Sequence, residues 1–116
     1  MVQEAERLAR RWEKNRLEAE GRRTRAQVFA GKLASRLGLA DPSVRTIVGF
    51  GSTFETWRQY RQDSDIDLAL CGGDWNLLWS LIPQSEFSVS LVELDLQTEA
   101  FAEQVRAQGV VLYEKQ

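Results

Sequence analysis

Apolar positions follow different rhythms along this chain, and each change of rhythm marks an element. From Val2 to Leu37 there is no proline, and most residues are strong helix formers. Ala5, Leu8, Ala9 and Trp12 share one helical face, and Val28, Phe29, Leu33 and Leu37 share another, with a nearly all-polar stretch between them. The pattern predicts one long helix, or two joined near Gly21, whose C-terminal half packs on the domain while the N-terminal half projects. An apolar stripe on a projecting helix calls for a cover. The Trp12 face is therefore a candidate interface, with folding back onto its own domain as the alternative.

Beyond Gly38 the rhythm shortens. A turn holding Pro42 leads to a β-branched run, Arg45 to Phe50, read as a strand, and a loop from Gly51 to Ser64 follows. Asp65 to Cys71 reads as a second strand with Ile66, Leu68 and Leu70 on one face. Asp74 is placed to cap a helix carrying Leu77, Leu78, Leu81 and Ile82, which Pro83 ends. Phe87 to Leu94 is a third strand, Thr98 and Gly109 are the expected caps of a last helix, and Val110 to Tyr113 is a closing strand. Alternating strands and helices predict a small α/β (α+β) fold, a short mixed sheet backed by helices, divided into an arm, 1–37, and a body, 38–116.

Composition narrows the chemistry. At 116 residues, with one cysteine and no histidine, the chain has no internal disulfide and no imidazole or multi-thiolate metal site. A metal here must be a hard ion held by oxygen, magnesium or manganese. No apolar run is long enough for a bilayer, and Met1 to Arg11 lacks the apolar core of a secretory signal, so the expected location is cytoplasmic, without a membrane partner. Residues 1–36 hold ten of the fifteen Lys and Arg against five acids, about +5 by count, and the remainder is about −7. Such an arm is a solvated face or an interaction surface. A nucleic-acid role would rest on Arg22, Arg23 and Arg25, and the acidic body and the lack of interleaved aromatics argue against it.

Residues 49–70, GFGSTFETWRQYRQDSDIDLAL, carry the chemistry. Asp65 and Asp67 alternate with Ile66, so in a strand both carboxylates point the same way and repel unless a cation sits between them. Gly51 and Ser52, ending the previous strand, offer close backbone approach, a hydroxyl and N–H groups, at the start of a helix if one follows, for phosphate. Either pair alone is weak as a signal. In the order strand, Gly-Ser, loop, Asp-Ile-Asp, strand, the two become specific for a metal and nucleotide site.

These residues resemble the signature of the minimal nucleotidyltransferases of the polymerase-beta superfamily, and the likeness runs from about residue 30 to the closing QGVVLY. The resemblance implies that 38–116 is a minimal nucleotidyltransferase domain, that Gly51 and Ser52 contact the nucleotide, and that Asp65 and Asp67 bind Mg2+ (or Mn2+) as catalytic carboxylates. It further implies ATP as substrate, AMP transfer to a hydroxyl of a protein partner, and an antitoxin role toward a HEPN-type helical protein. Self-association through the N-terminal helix is a further alternative. In the family a third carboxylate sits in a Val-Asp-Leu-Val sequence; here the aligned residues are Val89-Ser90-Leu91-Val92. Serine is a poor magnesium ligand and no base. Glu93 or Asp95 could replace it only through a shifted register, and without replacement the chain is a binding module that neutralises its partner by contact. Trp57, Arg58, Tyr60 and Arg61 in the loop are candidates to stack on a base or hold phosphate, or have no such role.

Overall fold

The computed structural model describes residues 2–116. A single helix, α1 (Val2–Ala40), leads into β1 (Val44–Phe50), β2 (Ile66–Gly72), α2 (Trp75–Ser80), β3 (Val89–Glu93), one 3-10 turn (Leu94–Leu96), α3 (Glu99–Gln108) and β4 (Val110–Glu114). The four strands form one mixed sheet in the order β3-β2-β1-β4. β1 is antiparallel to both β2 and β4, and β2 is parallel to β3. The long helix does not break at Gly21, where only the end of Arg25 comes near, so nothing there forces a bend.

Strand alternation gives the sheet two faces. Val44, Ile47, Ile66, Leu68 and Leu70 bury one face against Ala26, Ala30, Leu33, Ala34 and Leu37 of α1, and Val48 and Ala69 bury the other against Leu94, Ala102 and Val105. The buried stripe of α1 differs from the expected one, because Val28 is exposed and three alanines take the inward positions. Small residues let the helix lie close to the sheet. Gly38 belongs to the same device: a methyl group there would run into the Tyr113 ring of β4.

The N-terminal half of α1 projects, and the molecule measures 61 × 31 × 22 Å. Ala5, Trp12, Ala19, Ala26 and Leu33 recur every seven residues, so the face that is buried at Ala26 and Leu33 continues into the projecting half, where Trp12 is 67% exposed. Arg22, Arg23 and Arg25 are engaged within the fold: Arg22 and Arg25 pair with Glu86 at 2.9 and 3.2 Å, and Arg23 is buried. Arg22 and Arg23 are thereby drawn into the fold, while Arg25 stays exposed. No helix among the described residues is long and apolar enough to cross a membrane.

Helix caps follow the sequence. The Asp74 carboxylate accepts from the N–H groups of Asn76 and Leu77, and the Thr98 hydroxyl accepts from that of Phe101. Gly109 ends α3, though not through a left-handed backbone; a side chain there would strike Val48 and the Val105 and Gly49 carbonyls. The second helix stops at Ser80, before Leu81 and Ile82, and β3 is shorter at both ends than Phe87–Leu94.

Candidate functional site

Gly49 and Gly51 have different tasks. A side chain at Gly49 would overlap the Phe54 ring, which packs across β1, and one at Gly51 would overlap the Asp67 carboxylate. Gly51 also has φ +75, a region open to glycine. The acid of β2 therefore rests directly on the turn that leaves β1. No helix follows Gly51. Instead the N–H groups of Phe54 and Glu55 both donate to the Gly51 carbonyl, at 3.1 and 2.8 Å, in a short turn. The Ser52 and Thr53 amides precede the first hydrogen-bonded one and have no partner within that turn, which leaves the same kind of donor that a helix start would offer.

The turn is held in place by contacts that sequence reading did not find. Thr53 is fully buried; its hydroxyl donates to the Asp65 carbonyl at 3.1 Å, and its own carbonyl accepts from the Gln27 amide of α1 at 2.8 Å. Arg23, also on α1, donates to the Arg58 carbonyl and lies over the Tyr60 ring at 5.1 Å. The loop from Gly51 to Ser64 is thus clamped to α1 at two points. Tyr60, 4% exposed, is a structural anchor of the loop, whereas Trp57 is 64% exposed. Arg61, Tyr60 and Gln62 form one wall of an open groove whose other wall is Trp12, Arg16 and Ala19 of α1.

Asp65 lies just before β2, Asp67 within it, and Ile66 between them is fully buried on the α1 face. Asp67 is half-buried, and its carboxyl is pushed up to about 6 by that burial first, then by the charges of Asp65 and Glu55, against the opposing charge of Arg58. A carboxylate held this way favours any cation that can enter. Glu55 was not anticipated. It is 4% exposed and pairs with Arg58 at 3.5 Å. A pocket of about 200 Å3 opens beside these groups, between the end of β1 and α3; Phe50, Gly51, Glu55, Arg58, Asp67 and Phe101 line it.

On the other side of Asp67 stands Ser90. The parallel register of β2 and β3 pairs Asp67 with Ser90 directly, so the two side chains rise from the same face of the sheet. Neither proposed substitute reaches them. Glu93 pairs with Leu70, three residues further along and of opposite parity. Asp95 lies in the 3-10 turn, where it accepts from the Gly72 amide at 3.1 Å and pairs with Arg45 at 3.0 Å. Gly72 is about 16 Å from Asp67 along the strand. Among the described residues no three acids converge in a metal-holding group. Asp65 and Asp67 are the carboxylates that could hold a hard cation, which would keep its remaining positions for water or phosphate oxygen.

Neither a family model nor a curated protein sequence matches the chain. Solved structures do. A toxin-antitoxin crystallised with AMP-PNP aligns with a TM-score of 0.59 at 26% identity, covering 74% of each chain. An MntA-HpeT toxin-antitoxin, in a mutant form with two aspartates one residue apart changed to glutamate, aligns at 0.57 with the same identity and coverage. A protein from Sulfolobus solfataricus assigned as a nucleotidyltransferase aligns at 0.57 over 84% of this chain and 87% of its own, at 16% identity, a likeness of fold alone. By these neighbours the chain has a nucleotidyltransferase-like fold, shared with proteins of toxin-antitoxin structures.

Proposed function

We propose that this chain is a nucleotidyltransferase-like antitoxin that holds a nucleoside triphosphate, ATP, at Gly51, Ser52, Asp65 and Asp67 and acts on a helical toxin of the HEPN type. The juxtaposition of Gly51 with the Asp67 carboxylate carries the nucleotide part, because it sets phosphate-binding amides against a pair of acids that need a cation. The toxin-antitoxin neighbours, one crystallised with AMP-PNP, support the rest.

In the transfer reading the chain passes AMP from ATP to a hydroxyl of its partner. The oxygen attacks the α-phosphorus in line, its proton passes to solvent, and pyrophosphate leaves. Ser52, the turn amides and Arg58 bind the phosphates, and the β3 side of Asp67 is where the acceptor enters. Asp65 and Asp67 would hold magnesium or manganese, which when bound offsets the charge of the triphosphate.

The pairing of Asp67 with Ser90 favours the second reading, a module that binds nucleotide but neutralises its partner by contact. A hydroxyl in place of the third acid leaves no group on that side to take the acceptor's proton. The surface for contact is the Trp12 face of α1 with the adjoining groove.

Calorimetric titration with ATP and magnesium tests the proposal. The expected result is binding by the native chain that is lost in Asp67→Asn. No binding by either chain would end the nucleotide part and leave contact alone. Detection of AMP on the partner by mass spectrometry, absent with Asp67→Asn, would decide for transfer.

A further inference from the structure

One flank of α1 is neither packed on the sheet nor part of the Trp12 groove. At 3.6 residues per turn, Arg7, Arg11, Lys14, Arg25, Lys32 and Arg36 fall within an arc of about 60°, and all of them are exposed. Glu18 is the one acid in that arc. The apolar seam of Trp12, Ala26, Ala30 and Leu37 lies about a third of a turn away, and Glu6, Glu13 and Glu20 form an acidic line about a third of a turn further on. The helix thus carries three stripes. The basic one runs from Arg7 to Arg36, about 44 Å along the rod.

Folding gives these cations little to do. Of the six, only Arg25 has an ion-pair partner among the described residues, Glu86, and Arg22 shares it. Arg7 with Arg11, Arg11 with Lys14, and Lys32 with Arg36 are like charges three or four residues apart, an arrangement that weakens a helix. The stripe costs the fold a little and is matched by no line of acids within it. Its complement has to come from outside the chain.

We propose that the basic stripe of α1 is a docking surface for a nucleic-acid duplex, held through its phosphate backbone without choice of sequence. A duplex carries one negative charge per about 1.7 Å along a straight axis, and a 44 Å stripe matches about 13 base pairs at 3.4 Å each. A straight line of cations on a rigid rod is the complement of such a partner. Single strands are held by stacking as well as charge, and here no ring is free for it: Phe29, the one aromatic in the arc, packs inward on Phe87 with ring centres 5.5 Å apart. The Glu6, Glu13 and Glu20 line on the opposite flank repels phosphate and so fixes the side on which the duplex lies, which leaves the Trp12 face open. Arg22 and Arg23, drawn into the fold, take no part. The inference stands apart from the nucleotide site.

The test is fluorescence anisotropy of a labelled 20-base-pair DNA duplex titrated with the full chain between 50 and 200 mM salt. Binding should fall about a hundredfold or more over that range, with a logarithmic slope of about −4.5 for the five cations that have no partner, and a duplex of scrambled sequence should bind equally. Two double variants, Arg11→Ala with Lys14→Ala and Lys32→Ala with Arg36→Ala, sit at opposite ends of the stripe. Each should weaken binding about tenfold or more at 50 mM salt and lower the slope by about two. Glu18→Gln should tighten it, and Arg106→Ala, an exposed cation on α3, should leave it unchanged. All these positions are exposed on helices where the new residue is as good a helix former, and melting curves check that folding is retained. No binding at 50 mM salt, or binding indifferent to both double variants, would overturn the proposal, and an effect at one end alone would overturn a continuous stripe. Polyglutamate or phosphatidylserine vesicles bound as tightly as the duplex would overturn the duplex as occupant.

Discussion

Ser90 and Asp67 stand side by side on neighbouring strands, and single substitutions there have opposite expected outcomes. Ser90→Asp supplies an acid beside Asp67, on the side where the proposed acceptor would enter. AMP transfer to a partner hydroxyl, followed with radiolabelled ATP, should rise by about a hundredfold or more, the size typical of a general base restored in a formed site. Asp67→Asn should abolish nucleotide binding and flatten the pH dependence of stability. The Asp67 carboxyl is raised from the ordinary aspartate range to about 6, so between about 4 and 6 the folded chain keeps a proton that the unfolded chain has lost. That stability is fully present below the ordinary value and is lost as pH rises through 6. Melting curves from pH 4 to 8 should therefore fall for the native chain over this window, and the Asp67→Asn curve should lie above them at pH 7.5. A variant that melts lower at pH 7.5 would contradict this account.

At the scale of elements, the strand and cap signals were legible because they are local. Asp74 and Thr98 cap the helices that the sequence assigns to them, and Ile66 enters the core between two outward acids. Counting back from GVVLY placed Ser90 where the sheet register puts it, beside Asp67. What could not be read was the loop. Its shape depends on Gln27 and Arg23, which are 26 and 35 residues distant from the carbonyls they bind, and no short-range pattern encodes such pairs. Glu55 escaped notice for the same reason, since only the folded turn brings it near Asp67. The phase of α1 was misjudged at Val28 because alanine, a weak apolar signal, occupies the inward positions. Gln27→Ala should cost about 1 kcal/mol in stability, and amide exchange should quicken across residues 51–65 while the strands stay protected. Gly51→Ala should cost more, about 1 to 3 kcal/mol, through backbone strain and collision with Asp67, as measured by chemical denaturation.

For the whole molecule the exposed half of α1 is the feature that folding alone does not explain. Trp12 is exposed and outside the core, so Trp12→Glu should leave the unfolding free energy unchanged within about 0.5 kcal/mol. The same variant should fail to protect cells from a co-expressed toxin partner, and full protection would remove Trp12 from the contact surface. The helix has a second property. Its 39 residues form one rod of about 58 Å. One end carries the uncovered face, and the other end is fixed in the core and grips, through Arg23 and Gln27, the loop that holds Arg58 and Glu55 against the pocket. A visitor in the Trp12 groove also touches that loop at Tyr60 and Arg61. If the proposed function holds, a partner in the groove and a nucleotide at Gly51 and Asp67 would act on one segment, and linkage would make the effect mutual: whatever factor the partner applied to nucleotide affinity, the nucleotide would apply to the partner's.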